Sequence, residues 1–145
     1  MKKPINNYKL PDLVLEKKLN KNKYQRHEEI FKIIQICNDI YSKTGNNLDK
    51  NVYMECMQIE FSLNGIKYET GLQIPMKYQN QPLRTNYTPD FLCYDEIPVQ
   101  LFVEEELSKA NISNVKNSLN LCGINTGLII NFGNQIKLEY EKFFI

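Results

Sequence analysis

The spacing of apolar side chains predicts two amphipathic helices in the first half of the chain. Residues 28–43 repeat apolar positions at the i, i+3, i+4, i+7 spacing of one helix face. Gly45-Asn46-Asn47 is expected to end this helix, because Gly and Asn tolerate the left-handed conformation that follows a helix. A second helix is predicted over residues 48–63, with an inward face made of Val52, Tyr53, Cys56, Ile59 and Leu63.

The second half of the chain predicts short strands around one further helix. The predicted strands cover residues 66–68, 73–78, 83–87, 91–94, 99–103, 126–131 and 136–140. A third helix is predicted from Ser108 to Leu121, with Ile112, Val115, Leu119 and Cys122 on one stripe. The fully apolar run 126–131 is typical of a strand buried on both faces. This order predicts an α/β (α+β) fold, a mixed β-sheet flanked by helices.

Length and composition place the chain among ordinary globular proteins. With 145 residues, 42% of them hydrophobic and 24% charged, it is expected to form one domain. No apolar stretch is long enough to span a bilayer and no secretory signal is visible, so we expect a soluble intracellular protein without a membrane partner. The four cysteines lie in apolar segments without a C-x-x-C pair, which favours buried reduced thiols over a zinc site.

Charge is unevenly distributed along the chain. Residues 1–26 hold eight basic and two acidic side chains, a net charge of +6, so the other 119 residues carry −5 of the overall +1. We therefore expect a basic N-terminal extension (1–26) and a folded domain (27–145). Such an extension could neutralise nucleic-acid phosphates, and a solvated leader is the alternative. The candidate phosphate-binding residues are Lys2, Lys3, Lys17, Lys18, Lys21, Lys23 and Arg26.

Candidate chemistry lies between residues 86 and 107. Asp90 enters one predicted strand and Glu104 leaves the next, so their carboxylates are expected to meet at one sheet edge, where they suit Mg²⁺ or Mn²⁺. Side chains alternate along a strand, so Glu106 is expected to share the face of Glu104 and complete a three-carboxylate cluster. The alternative is a solvated acidic strand end that leads into a helix N-terminus, where acidic residues are favourable.

Several segments together resemble the small GxxExxY proteins of the PD-(D/E)XK nuclease superfamily. The resemblance covers residues 29 to about 140. It rests on the segment Gly45–Tyr53, on Ile59-Glu60-Phe61, on Ile74–Tyr78 with its proline, and on Gly127–Gly133. The resemblance implies a nuclease-like fold and metal-dependent phosphodiester hydrolysis in which Asp90 and Glu104 are the metal ligands.

The chain departs from the family pattern around the expected active site. Glu106 stands where the resemblance implies a lysine, which would orient the attacking water and offset charge on the phosphate. A glutamate there should weaken transition-state stabilisation, although a second metal ion could compensate. Asn47 and Lys50 replace the motif Gly and Glu. On the third helix, Asn114 and Ser118 replace Gln and Tyr, and the connection from Glu104 to that helix is about four residues shorter than expected.

Other residues near the expected site have weaker functional interpretations. Lys109 could substitute for the missing lysine, and an exposed helix lysine is the simpler interpretation. Tyr53 and Glu55 lie on the helix that the resemblance places beside the cleft. His27, the only histidine, is expected to be structural or solvent-exposed.

Three functions fit the sequence. The first is a nuclease-fold protein that binds nucleic acid or a divalent metal but is catalytically impaired, with Asp90, Glu104 and Glu106 in its site. The second is an active Mg²⁺- or Mn²⁺-dependent endonuclease. The third is a degenerate nuclease fold that serves as a structural subunit among other protein subunits.

Overall fold

The computed structural model describes residues 23–144, which form three helices and seven strands. The helices are α1 (Lys23–Thr44), α2 (Lys50–Leu63) and α3 (Lys109–Leu121), and the strands are β1 (Tyr68–Glu69), β2 (Ile74–Tyr78), β3 (Gln81–Tyr87), β4 (Phe91–Cys93), β5 (Ile97–Phe102), β6 (Thr126–Asn131) and β7 (Glu139–Phe144). The predicted α+β architecture is confirmed, with every predicted element present. Within the described residues, no helix is long and apolar enough to cross a membrane.

Five strands form a mixed sheet in the order β1-β4-β5-β6-β7, and β2 and β3 form a separate hairpin. Strands β5 and β6 are parallel, and α3 forms the crossover connection that a parallel pair requires; the other neighbours in the sheet are antiparallel. In the β4–β5 pair, Phe91 lies opposite Val99. Strand β6 is buried along its whole length, as its apolar run predicts.

Helices cover both faces of the sheet. Alternate residues of β5, namely Ile97, Val99 and Leu101, pack into a core with α1 and α2. On the other face, α3 packs through Val115 and Leu119 against β2, β6 and β7. Phe102 packs against this second cluster and is half-buried. Because side chains alternate along a strand, Gln100 and Phe102 lie on the sheet face that α3 covers.

The inward face of α2 agrees with the prediction at Tyr53 and Cys56 and differs from it elsewhere. The buried stripe is Tyr53, Met57 and Phe61, whereas Val52, Ile59 and Leu63 are exposed, Leu63 to 76%. The i, i+4, i+8 stripe carries two aromatic rings and therefore removes more apolar surface from water than the competing aliphatic stripe. The apolar pattern alone was ambiguous because both stripes have helical spacing.

Several element boundaries also differ from the predictions. Helix α1 begins at Lys23, so Lys23 and Arg26 are helical, and Nε of Arg26 lies 3.9 Å from the buried Glu96 carboxylate. The last strand is β7 at Glu139–Phe144, not 136–140. Asn134 Oδ1 accepts hydrogen bonds from the backbone N–H groups of Ile136 and Lys137. These bonds form a turn, so the last strand begins at Glu139 and not at Ile136. The candidates Lys2, Lys3, Lys17, Lys18 and Lys21 lie outside the described residues.

Candidate functional site

Asp90 lies immediately before β4 and is held by three donors. Its Oδ2 accepts hydrogen bonds from Leu101 N at 2.7 Å and from Gln100 Nε2 at 3.0 Å. Its Oδ1 lies 3.0 Å from Lys50 Nζ. Both carboxylate oxygens therefore have a donor from within the protein.

Lys50 reaches Asp90 from the first turn of α2, which Asp49 caps by accepting a hydrogen bond from Asn51 N. The Asp90 side chain is 16% exposed and the Lys50 side chain 41%. The attraction between the two charges is therefore screened by solvent on the lysine side more than on the aspartate side. The pair nevertheless neutralises the candidate metal ligand with a fixed positive charge.

Tyr87 fixes the orientation of the Gln100 amide. Its hydroxyl donates to Gln100 Oε1 at 2.6 Å, so that Gln100 Nε2 faces Asp90. Burial, and after it the nearby charge of Asp90, raises the pKa of the Tyr87 phenol well above its ordinary value. Tyr87 therefore remains a donor at any physiological pH. The chain Tyr87–Gln100–Asp90–Lys50 is an ordered polar network whose hydrogen-bond directions are all defined.

Glu104 lies two residues after the end of β5, in a loop. Asn111 Nδ2 donates to both of its carboxylate oxygens, at 2.8 and 2.7 Å. Asn111 lies in the first turn of α3, where Ser108 caps the helix by accepting a hydrogen bond from Asn111 N. The Glu104 carboxylate is thus tied to the start of α3.

Glu106 does not share a strand face with Glu104, contrary to the prediction. Strand β5 ends at Phe102, and Glu105 and Glu106 form an exposed bend. Alternation of side chains holds only in extended backbone, so it does not apply to Glu104–Glu106. Nowhere in residues 23–144 do three His, Cys, Asp or Glu side chains converge to hold a metal ion, so the three-carboxylate cluster is wrong.

Asn131, at the end of β6, fastens the loop that carries Glu104. Its Oδ1 accepts from Glu104 N, and its Nδ2 donates to Glu104 O and to Glu139 Oε1. The backbone of Gly133 packs so closely on Glu104 that a Cβ atom there would overlap the Glu104 main chain. The loop geometry is therefore set by β6, by the turn after it and by the start of β7.

Glu139 links the same loop to β7. Its Oε1 also accepts a hydrogen bond from Leu107 N at 2.8 Å. Burial raises the pKa of Glu139, but hydrogen bonds from Asn131, Leu107 and Asn134 outweigh this effect, so the net pKa is lowered. An open groove lined by Leu107, Ile112 and residues 137–141 lies beside this link. It does not include Asp90 or Glu104.

The remaining candidates have structural or surface positions. Tyr53 is buried: its hydroxyl donates to Gly45 O and accepts from Leu48 N, and its ring stacks on Phe132. It therefore shapes the loop between α1 and α2 and does not face a cleft. Glu55 and Lys109 are exposed. The His27 ring packs edge-on against Phe144, as expected for a structural histidine.

The cysteines are free thiols, and two of them, Cys37 and Cys93, are buried. Burial raises the pKa of both thiols well above the ordinary value, so neither is a thiolate near neutral pH.

The side chains around Asp90 do not fit a divalent cation. A Mg²⁺ or Mn²⁺ ion needs oxygen ligands, whereas the groups that face the Asp90 oxygens are an ammonium, an amide N–H₂ and a backbone N–H. The Glu104 oxygens face the N–H₂ of Asn111. Three of these residues, Lys50, Gln100 and Asn111, were missed as site residues, although the replacement of a motif Glu by Lys50 was visible in the sequence.

The family model for the PD-(D/E)XK nuclease superfamily matches residues 27–143. This match covers most of the chain, and it agrees with the mixed sheet and with helices on both its faces. The chain therefore belongs to the PD-(D/E)XK nuclease superfamily. A search among curated proteins finds no match.

Proposed function

We propose that this chain is a non-cleaving nuclease-fold protein of the GxxExxY branch that binds nucleic acid inside the cell. The observation that carries the loss of cleavage is the 3.0 Å contact between Lys50 Nζ and Asp90 Oδ1. A metal-dependent phosphodiesterase needs its carboxylates free to hold the cation. Here the Asp90 carboxylate is already neutralised by Lys50 and hydrogen-bonded by Gln100, and Glu104 is held by Asn111.

Nucleic-acid binding is the part of the proposal that rests on charge. Residues 1–26 carry a net charge of +6. Such a density of lysines favours phosphate contacts and the release of condensed counterions. Because Arg26 lies beside the buried Glu96, we assign the phosphate contacts to the lysines of the extension before Lys23.

The test uses the full chain with short fluorescent single-stranded DNA, duplex DNA and RNA. Binding is followed by anisotropy, and cleavage by gel after incubation with Mg²⁺ or Mn²⁺. We expect binding that weakens steeply with salt. We expect no difference in cleavage between the native chain and its Asp90→Ala variant. The control is Asp90→Ala, which removes the acid while leaving the basic extension intact.

Two outcomes would contradict the proposal and favour a different function. Cleavage by the native chain that Asp90→Ala abolishes would identify an active endonuclease. Absence of binding to every nucleic acid at low salt would favour the third function, a structural subunit that binds other proteins.

A further inference from the structure

We propose that Lys50 supplies, from within the protein, the positive charge that a metal ion supplies at such a site. We further infer that Gln100 and Phe102, not Glu104 and Glu106, hold the positions of the second acid and the lysine. This inference deepens the proposed function, since it states why the site does not cleave. Its test is made on the protein alone, so that it can fail independently of nucleic-acid binding.

The first step of the argument is the position of Gln100. Phe91 pairs with Val99, so Asp90 and Gln100 are opposite each other at the same end of the β4–β5 pair. The Gln100 amide touches the Asp90 carboxylate at 3.0 Å. An acid at the position opposite Asp90 could share a metal ion with it, and the residue at that position is an amide. Glu104 is beyond the strand, with its carboxylate bound by Asn111.

The length of the chain supports the same assignment. With Glu104 as the second acid, the connection to α3 is about four residues shorter than the resemblance implies. Gln100 precedes Glu104 by four residues, so assigning the position to Gln100 removes the discrepancy. The residue two positions further on, where the pattern has lysine, is then Phe102, which packs among the apolar side chains around α3.

The second step concerns charge. A glutamate at position 100 would bring two carboxylates to about 3 Å from each other, and they would repel unless a cation or a proton lay between them. Gln100 removes one of these negative charges and replaces an acceptor by a donor. Lys50 then balances the single remaining charge on Asp90 at 3.0 Å. The site is electrically neutral without a metal ion.

The third step is that the amide is required by its neighbours. Tyr87 donates to Gln100 Oε1, and Gln100 Nε2 donates to Asp90. This arrangement uses one acceptor and one donor of the same side chain, which a carboxylate cannot provide. The network Tyr87–Gln100–Asp90–Lys50 is therefore complete in the absence of metal, and replacing Gln100 by Glu breaks it at the contact with Asp90.

The experiment measures Mn²⁺ binding to the full chain by calorimetry and by the loss of the free Mn²⁺ electron paramagnetic resonance signal. The native protein is expected to bind Mn²⁺ no better than its Asp90→Asn variant. The double variant Lys50→Glu/Gln100→Glu is expected to bind Mn²⁺ at least tenfold more tightly than the native protein, and Asp90→Asn in that background should remove the gain. The matched control is Lys32→Glu/Gln35→Glu, which makes the same charge changes at exposed positions of α1.

A contrasting variant separates the two assignments of the lysine and acid positions. Glu106→Lys changes the residue that the sequence pattern alone placed at the lysine position. We expect this variant to bind Mn²⁺ as the native protein does. The proposal is overturned if the native chain binds Mn²⁺ in a manner that depends on Asp90, or if the exposed control gains as much affinity as the double variant.

A second measurement keeps the proposal testable if the double variant does not fold. Lys50→Met retains most of the length and the apolar stem of the side chain and removes its ammonium group. We expect the melting temperature to fall by roughly 3–8 °C relative to Lys32→Met. An equal melting temperature for the two variants would show that Lys50 does not serve as the counterion of Asp90.

Discussion

At the scale of single residues, Asp90 is expected to matter for stability even in a protein that does not cleave. Asp90→Ala leaves Leu101 N, the Gln100 amide and the Lys50 ammonium without their acceptor. We expect the free energy of unfolding to fall by about 2–4 kcal/mol, since donors that lose their partner in a largely buried place are costly. The measurement is equilibrium unfolding in urea.

The control for Asp90→Ala is Asp39→Ala. Asp39 also pairs with a lysine, Lys43 at 3.1 Å, but both side chains of that pair are more than half exposed. Solvent screens the charges of such an exposed i, i+4 pair, so we expect Asp39→Ala to cost much less stability than Asp90→Ala. Equal losses for the two variants would contradict the role assigned to the Asp90 network.

Glu139 gives the molecule a pH dependence of known sign. Its pKa in the folded protein is lowered, so its contribution to stability is present above the ordinary value of 4.5 and is lost as the pH falls through the folded-state pKa. Glu139→Gln retains an acceptor for Leu107 N and cannot titrate. We therefore expect the native protein to lose more stability than Glu139→Gln between about pH 5 and pH 3, as measured by thermal unfolding at each pH.

The comparison for Glu139 is Glu55→Gln, which removes an exposed carboxylate from α2. The stability of this variant should follow the same dependence on pH as that of the native protein. If Glu139→Gln follows it as well, the lowered pKa of Glu139 is not what stabilises the loop that carries Glu104.

At the scale of elements, the turn after β6 determines where Glu104 lies. A Cβ at position 133 would overlap backbone atoms of Glu104, which cannot move independently of the loop fixed by Asn131. We expect Gly133→Ala to lower the free energy of unfolding by about 3 kcal/mol, at the upper end for overpacking. Gly71→Ala is the control. A Cβ at position 71 would contact no other atom, although the backbone there has a φ of +71°, which is strained for alanine. The cost of Gly71→Ala should be only about 1–2 kcal/mol.

The elements also show why part of the inward face of α2 and the range of β5 were predicted incorrectly. Val52, Ile59 and Leu63 form a helical stripe as regular as that of Tyr53, Met57 and Phe61, so periodicity does not choose between them. Similarly, the run from Val99 to Val103 contains no residue that marks the end of a strand. Strand β5 ends at Phe102, where its neighbour β6 also ends at the paired Asn131. Pairing with a neighbour, and not local preference, sets that end.

At the scale of the whole molecule, the basic extension is the segment to test for nucleic-acid binding. Replacing Lys2, Lys3, Lys17, Lys18 and Lys21 by Gln in the full chain removes positive charge without shortening α1. We expect weaker binding and a salt dependence whose log–log slope is smaller by roughly 0.7–0.9 for each phosphate that the variant no longer neutralises. Anisotropy titrations between low and physiological salt give this slope.

The matched control replaces five exposed basic residues of the folded domain by Gln: Lys32, Lys43, Lys77, Arg84 and Lys109. The net charge of the two variants is then equal. If the control reduces the salt slope and the variant of the extension does not, the phosphate-binding residues lie on the folded domain, and residues 1–22 are a leader.

The sequence by itself determined the class of fold and most of its elements. Apolar periodicity, the break at Gly45 and the apolar run 126–131 are local signals, and each was sufficient to place an element. The sequence also predicted that Asp90 stands at the start of a strand, and Asp90 lies immediately before β4. What only the tertiary structure decided is which residues surround Asp90. Lys50 lies forty positions away in the chain, and Gln100 meets Asp90 only through strand register, so neither contact is encoded in local spacing. The contacts depend on how α2 and β5 pack against β4, and this packing is a property of the whole fold.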